Sequence, residues 1–172
     1  MIQPPVIRHA DLPRQLFAES RQHAYAVLDG AANPALIDHL YDGERPDFAC
    51  LSRGELEPDL AECAPYLVRL EPGSPFTQWL LDHCLGRHWG ILALSRASLP
   101  DVLLHFRKHS MIYDLDNRPF FFRYYDPRVL RDYLPECDPE ELQAFFGPVA
   151  AYFAETEDGE FHLRFDRPAG LD

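Results

Sequence analysis

Short apolar runs and helically spaced apolar positions take turns along the first half of this chain. Tyr25-Ala-Val-Leu-Asp29, Pro65-Tyr-Leu-Val-Arg-Leu70 and Trp89-Gly-Ile-Leu-Ala-Leu94 are nearly unbroken apolar stretches bounded by Gly30, Pro65 and similar turn formers, a pattern that predicts buried strands. The third is apolar throughout, as a central strand covered on both faces would be. Between these runs the period lengthens. Leu36, Ile37 and Leu40 follow Asn33-Pro34, and Phe76, Trp79, Leu80 and Leu85 follow Ser74-Pro75. Leu99, Val102, Leu103 and Phe106 follow Ser98. Each set matches one helix face, and each opens on a side chain able to accept a hydrogen bond from the free N–H groups of a first turn. Asp11 to Gln22 predicts a further helix, Asp47 to Leu51 a short strand, and the acidic stretch Ser52 to Ala64, broken by Gly54 and Pro58, a loop with room for a helical turn.

In the second half, hairpins replace the alternation. Met111 to Leu115 and Phe120 to Tyr125 flank Asp116-Asn117-Arg118-Pro119, and Val149 to Glu155 and Glu160 to Phe165 flank Asp158-Gly159, a strong turn dipeptide. Short helices are expected from Pro127 to Leu134, capped by Asp126, and after Asp138-Pro139, with Leu142, Phe145 and Phe146 inward and Gly147-Pro148 as the stop. The run Phe120-Phe-Phe-Arg-Tyr-Tyr125 predicts a core strand passing straight into the helix at Pro127. The expected fold class is α/β (α+β): a single domain with a mixed β-sheet, flanking helices and C-terminal β-hairpins. It would occupy residues 24–165, after a helical lead-in over 1–23 and before a frayed tail over 166–172.

Composition narrows the function. The chain has 172 residues, 47% hydrophobic and 13% aromatic, enough for a globular core without disulfides. A formal charge of −12 argues against a nucleic-acid partner and a polybasic membrane anchor, and suits a basic protein partner. The start, Met-Ile-Gln-Pro-Pro-Val, lacks the basic and apolar regions of a signal peptide, and no apolar run approaches the roughly 18 residues of a membrane-spanning helix. Cys50, Cys63, Cys84 and Cys137 are scattered without paired spacing, as expected of buried thiols in a reduced, cytoplasmic protein.

Catalytic chemistry finds little purchase. His105 and His109 lie four apart on one expected helix, where two imidazoles can meet a metal. The residues between them are Phe106, Arg107 and Lys108, so the zinc-protease glutamate is absent and two cations would repel a divalent ion. His83, Cys84 and His88 cluster too, but Gly86 interrupts them. There is no serine elbow and no glycine-rich phosphate loop. No cofactor is expected.

Arg123 is the charge that needs an explanation. Set among aromatics in an expected strand, it requires a partner, and Asp126, Asp114 and Asp29 are the candidates. The expectation is that Arg123, Asp126 and Arg128 fix the strand-to-helix junction through a buried, charge-assisted pair.

Six segments in order carry a resemblance: Tyr25 to Gly30, Ala64 to Val68, His88-Trp89-Gly90, Leu103 to Arg107, Arg123-Tyr-Tyr-Asp-Pro-Arg-Val-Leu130 and Phe146 to Val149. Together they resemble the domain of unknown function 4123 family, the effector adaptor/chaperone proteins of type VI secretion systems. The resemblance implies a non-enzymatic cytoplasmic protein that binds a secreted effector and helps load it onto the spike protein of the secretion apparatus. Asp29, Gly30, Trp89, Arg123, Tyr125, Asp126, Pro127 and Arg128 become the structural or partner-binding motif residues. Family members often carry a variable C-terminal lobe, of which the few residues after Phe165 would supply little or nothing. The alternatives are a small metal-dependent hydrolase or toxin using His105 and His109, and an immunity protein for a basic toxin.

Overall fold

The computed structural model describes residues 4–170, and its centre is a sheet of seven strands in the order β1-β9-β8-β5-β2-β4-β3. These are β1 (Val6–Arg8), β2 (His23–Asp29), β3 (Phe48–Cys50), β4 (Pro65–Leu70), β5 (Gly90–Ser95), β8 (Val149–Glu155) and β9 (Phe161–Asp166). A separate two-stranded sheet joins β6 (Met111–Tyr113) to β7 (Pro119–Phe121). The helices are α1 (Leu12–Leu16), α2 (Leu36–Tyr41), α3 (Pro58–Cys63), α4 (Pro75–Trp79), α5 (Leu99–His109), α6 (Pro127–Tyr133) and α7 (Pro139–Phe146). A wider π-helical turn, Leu80–Cys84, extends α4.

The domain is α+β, as expected, but every pairing in the large sheet is antiparallel where a mixed sheet was expected. Helix-bearing connections link β2, β4 and β5, but β4 and β5 flank β2 on either side and each runs opposite to it, with Val27 opposite both Leu67 and Ile91.

Period-two alternation distributes the strands' side chains over two cores. Ala24, Ala26, Leu28, Val68, Leu92 and Phe153 point to one face, under Leu12, Leu16, Leu36, Leu40, Phe76 and Leu80. Tyr25, Val27, Leu67, Ile91 and Tyr152 point to the other, under Val102, Phe106, Leu130, Phe145 and Phe146. Both faces of the middle strands are therefore covered, which is why β2, β4 and β5 read as nearly continuous apolar runs.

The caps follow the sequence. Ser74 accepts from Thr77 N, Ser98 from Asp101 N, and Asp138 from Glu141 N in a full capping box. Asn33 Oδ1 accepts from Ala35 N, so Asn33-Pro34 forms a turn before the helix rather than its first residues. Three local expectations need adjusting. The helix expected over Asp11 to Gln22 shrinks to α1, because Leu12 and Leu16 are buried while most side chains from Glu19 to Gln22 have no apolar face to dock. The acidic stretch Ser52 to Ala64 contains α3, started by Pro58 at its first position. β1, within the expected helical lead-in, pairs with β9 and closes one sheet edge. At the other end, Asp166 lies inside β9 and Arg167 N donates to Ala150 O at 2.9 Å, so residues 166 and 167 belong to the sheet rather than to the frayed tail expected there; Leu171 and Asp172 lie outside the described residues.

Gly90 opens β5 where the carbonyl oxygen of Val27 occupies the position a Cβ would take, with Leu28 Cα 3.1 Å from it. Gly90→Ala should cost about 1–3 kcal/mol through overpacking, read as a lower urea midpoint with unchanged slope; an unaltered midpoint would show that β2 and β5 are not this close.

Candidate functional site

The motif residues converge where β2 ends. Asp29 is 4% exposed. Its backbone N–H donates to Trp89 O at 2.8 Å, and its carbonyl accepts from Ala32 and Asn33 at 3.2 and 3.0 Å. One carboxylate oxygen accepts from Ala31 N at 3.0 Å, an Asx turn that bends the chain out of the strand. The other meets Arg123 Nη2. Gly30 follows because the carbonyls of Glu62 and Ala64 crowd its Cα, and Gly30 N donates to Ala64 O at 3.0 Å. Trp89 packs against the first core with the Arg87 guanidinium 4.9 Å above its ring.

The expected trio thus divides into two pairs. Arg123 takes Asp29, 94 residues away, and its guanidinium lies 5.9 Å from the Tyr125 ring centre. Partial burial opposes its charge, but Asp29 outweighs that and holds the guanidinium pKa above its ordinary value. Asp126 caps α6 by accepting from Arg128 N at 3.0 Å and binds the Arg128 fork at 2.9 and 2.7 Å. Burial raises the Asp126 pKa, but the Arg128 hydrogen bonds prevail and leave it lowered. Pro127, buried, supplies the first residue of α6. Only Asp29 of these charges is deeply buried; the Arg123 side chain is 52% exposed, so the pair is buried at one end alone.

The core strand expected over Phe120 to Tyr125 is the main correction. The hairpin exists, with Ile112 opposite Phe120 and Asn117 in the left-handed region at φ 58°. Asp114 closes its turn by accepting from Asp116 N and Arg118 N at 2.9 and 2.8 Å. Yet strand β7 stops at Phe121, and the hairpin stands off both cores: Phe121 is 81% exposed, Tyr113 62%, Phe120 51% and Ile112 48%. The chain turns inward only afterwards. Phe122 N donates to Ser110 O at 3.1 Å, and Tyr124 is fully buried, stacked on Phe106 and donating its hydroxyl to Phe106 O at 3.0 Å. Aromatic strand propensity predicted the pairing correctly but carried no information on which layer would receive it.

His105 and His109 face inward between α5 and α7. His105 Nε2 bonds Phe145 O at 2.8 Å and its ring rests against Gly147, which sits at φ 46°. The two imidazoles meet edge to face at 4.6 Å, with the Phe145 ring 5.0 Å from His109. Burial lowers the pKa of His105 and takes His109 down to about 4. Among the described residues no group of three or more His, Cys, Asp or Glu is placed to hold a metal ion.

Glu155, which ends β8, was not singled out by sequence. It is 3% exposed, accepts from Gly86 N and His88 N at 2.7 Å each, and its carbonyl accepts from Arg131 Nη1 at 2.7 Å. An acid closing an apolar run was its sole signal. Nearby, His162 is buried 4.9 Å from His9, and burial followed by the His9 charge lowers its pKa to about 3.

Among protein families, the model of a domain of unknown function, DUF4123, matches residues 24–144. No curated protein and no solved structure matches.

The buried histidines set a pH dependence. Folded His105, His109 and His162 resist protonation, while unfolded histidines take up protons below about pH 6.5. Their neutral-state stabilisation is complete above about pH 6.5 and drains away as pH falls towards 4 for His109 and 3 for His162. Thermal melts between about pH 6.5 and 4.5 should show a falling midpoint, and His162→Leu should flatten the fall. An equally steep fall in that variant would contradict the assignment.

Proposed function

The chain belongs to the family of the domain of unknown function DUF4123, and from that premise we propose that it is a non-enzymatic adaptor and chaperone: it binds a type VI secretion effector and helps load it onto the spike protein of the secretion apparatus. The observation that carries this reading is the β6–β7 hairpin. A domain whose sheet is already covered on both faces holds Ile112, Tyr113, Phe120 and Phe121 out in solvent. Large exposed apolar side chains gathered on one projecting element are the usual mark of a surface meant to be covered by another protein.

The motif residues support the hairpin rather than forming a reaction centre. Arg123 ties its outgoing end to Asp29, and Asp126 starts the next helix, α6. The His105–His109 pair, on which a hydrolase reading would depend, is occupied by backbone carbonyls and aromatic rings of α7. A charge of −12 suits a basic partner, whether effector or toxin, so an immunity role is the reading to separate by experiment.

Co-expression with an effector and a spike protein from the same genome makes that separation. The adaptor reading expects both proteins to co-purify with this chain and effector secretion to stop when its gene is deleted, with no loss of viability in a toxin-exposed sibling strain. Absence of a complex with either protein would refute it, and protection against the toxin without any effect on secretion would favour the immunity role.

A further inference from the structure

One root of the exposed hairpin touches one end of an acidic segment, and the other root is linked to the far end through Asp29 and Gly30. Arg107, one turn before the hairpin begins, donates to the carbonyls of Cys50, Leu51 and Ser52 at 2.9, 3.1 and 3.4 Å, where residues 53–63 depart. Arg123, just after the hairpin, pairs with Asp29, whose neighbour Gly30 bonds Ala64 O, where the segment returns. Within the segment Glu57, Asp59 and Glu62 are exposed, Leu60 is 60% exposed, and none of these carboxylates has an ion-pair partner among the described residues. The hairpin itself adds little net charge: Arg118 forks between Asp114 and Asp116. An apolar platform and an unneutralised acidic border therefore leave the domain at one corner.

Resting on the adaptor reading, we propose that this corner is the docking surface, and that its occupant is a cationic amphipathic segment of the partner: apolar side chains lie on Ile112, Tyr113, Phe120 and Phe121, and lysines or arginines face Glu57, Asp59 and Glu62. Charge decides among occupants. A second copy of this chain brings another −12 and the same acidic border, so like charges would face each other across an isologous contact. A basic segment removes that repulsion and gains steering from the whole molecule's field. Aromatic side chains supply most of the affinity, and the acidic border supplies orientation and on-rate.

The full chain is titrated with a labelled leucine–lysine peptide of about 18 residues with helical apolar spacing, and with its leucine–glutamate counterpart. The lysine peptide should bind and weaken as salt rises from about 50 to about 300 mM, while the glutamate peptide should not bind. Phe120→Ser/Phe121→Ser, both at exposed positions, should keep the native melting temperature and lose about tenfold or more in affinity. Glu57→Gln/Asp59→Asn/Glu62→Gln should also lose affinity, whereas Glu157→Gln/Glu160→Gln, exposed beyond β8 on the far side of β5 and β2 from β4, should not. Equal binding by the serine variant, equal loss in the Glu157/Glu160 variant, binding of the glutamate peptide, or a dimer of the free chain that the serine variant dissolves would each overturn the proposal. Effector capture is measured on the same variants. Intact capture by Phe120→Ser/Phe121→Ser would remove this surface and leave the adaptor reading standing, whereas failure of the native chain to capture effector would remove the reading itself.

Discussion

Burying a carboxylate at the end of a central strand is costly unless every oxygen finds a donor, and Asp29 imposes that constraint on its surroundings. Its side chain is satisfied by Ala31 N and by Arg123, and its main chain by Trp89, Ala32 and Asn33. Three stretches must be in place for that to happen: the turn that leads from β2 towards α2, the lead-in to β5, and the chain leaving the β6–β7 hairpin. A charge-assisted contact between residues 94 positions apart thus joins the Phe122–Ser110 bond and the end of α5 in fixing the hairpin at one defined corner of the sheet.

The second constraint is a lack of room. Leu12, Leu36, Phe76 and Leu80 on one face of the sheet and Val102, Phe106, Leu130 and Phe145 on the other leave no apolar face of the sheet for β6 and β7 to cover. Phe122, against Tyr133, and Tyr124, on Phe106, reach inward, and they anchor the chain leading into α6 rather than the hairpin itself. The exposure of Phe120 and Phe121 is a consequence of the architecture. In an adaptor, that leftover apolar element is what a partner would cover.

Much of this was legible residue by residue. The runs at Tyr25, Pro65 and Gly90 identified the buried strands because double-sided burial removes polar positions, and Ser74, Ser98 and Asp138 marked helix starts because unsatisfied N–H groups need an acceptor at that place. What escaped depends on distance in the chain. Strand direction is decided by which runs pair, so an antiparallel sheet resembled a mixed one. β1 is too short and too exposed to show a period, and Pro58 looked like a breaker when it was a first helical residue. Asp29 stood among three possible partners for Arg123, and only the fold chose it over Asp126, which Arg128 occupies. Phe120 and Phe121 looked like core because composition reports apolarity and says nothing of available surface.

The central claim is that Asp29 and Arg123 act as one latch. A double-mutant cycle with Asp29→Asn, Arg123→Met and the combined variant, followed by urea unfolding at neutral pH, tests it most directly. A latch predicts that the two single losses fail to add, with a coupling of at least about 1 kcal/mol. Losses that add to within about 0.5 kcal/mol would mean that the two side chains stabilise the domain independently, and that the hairpin is held by something other than this pair.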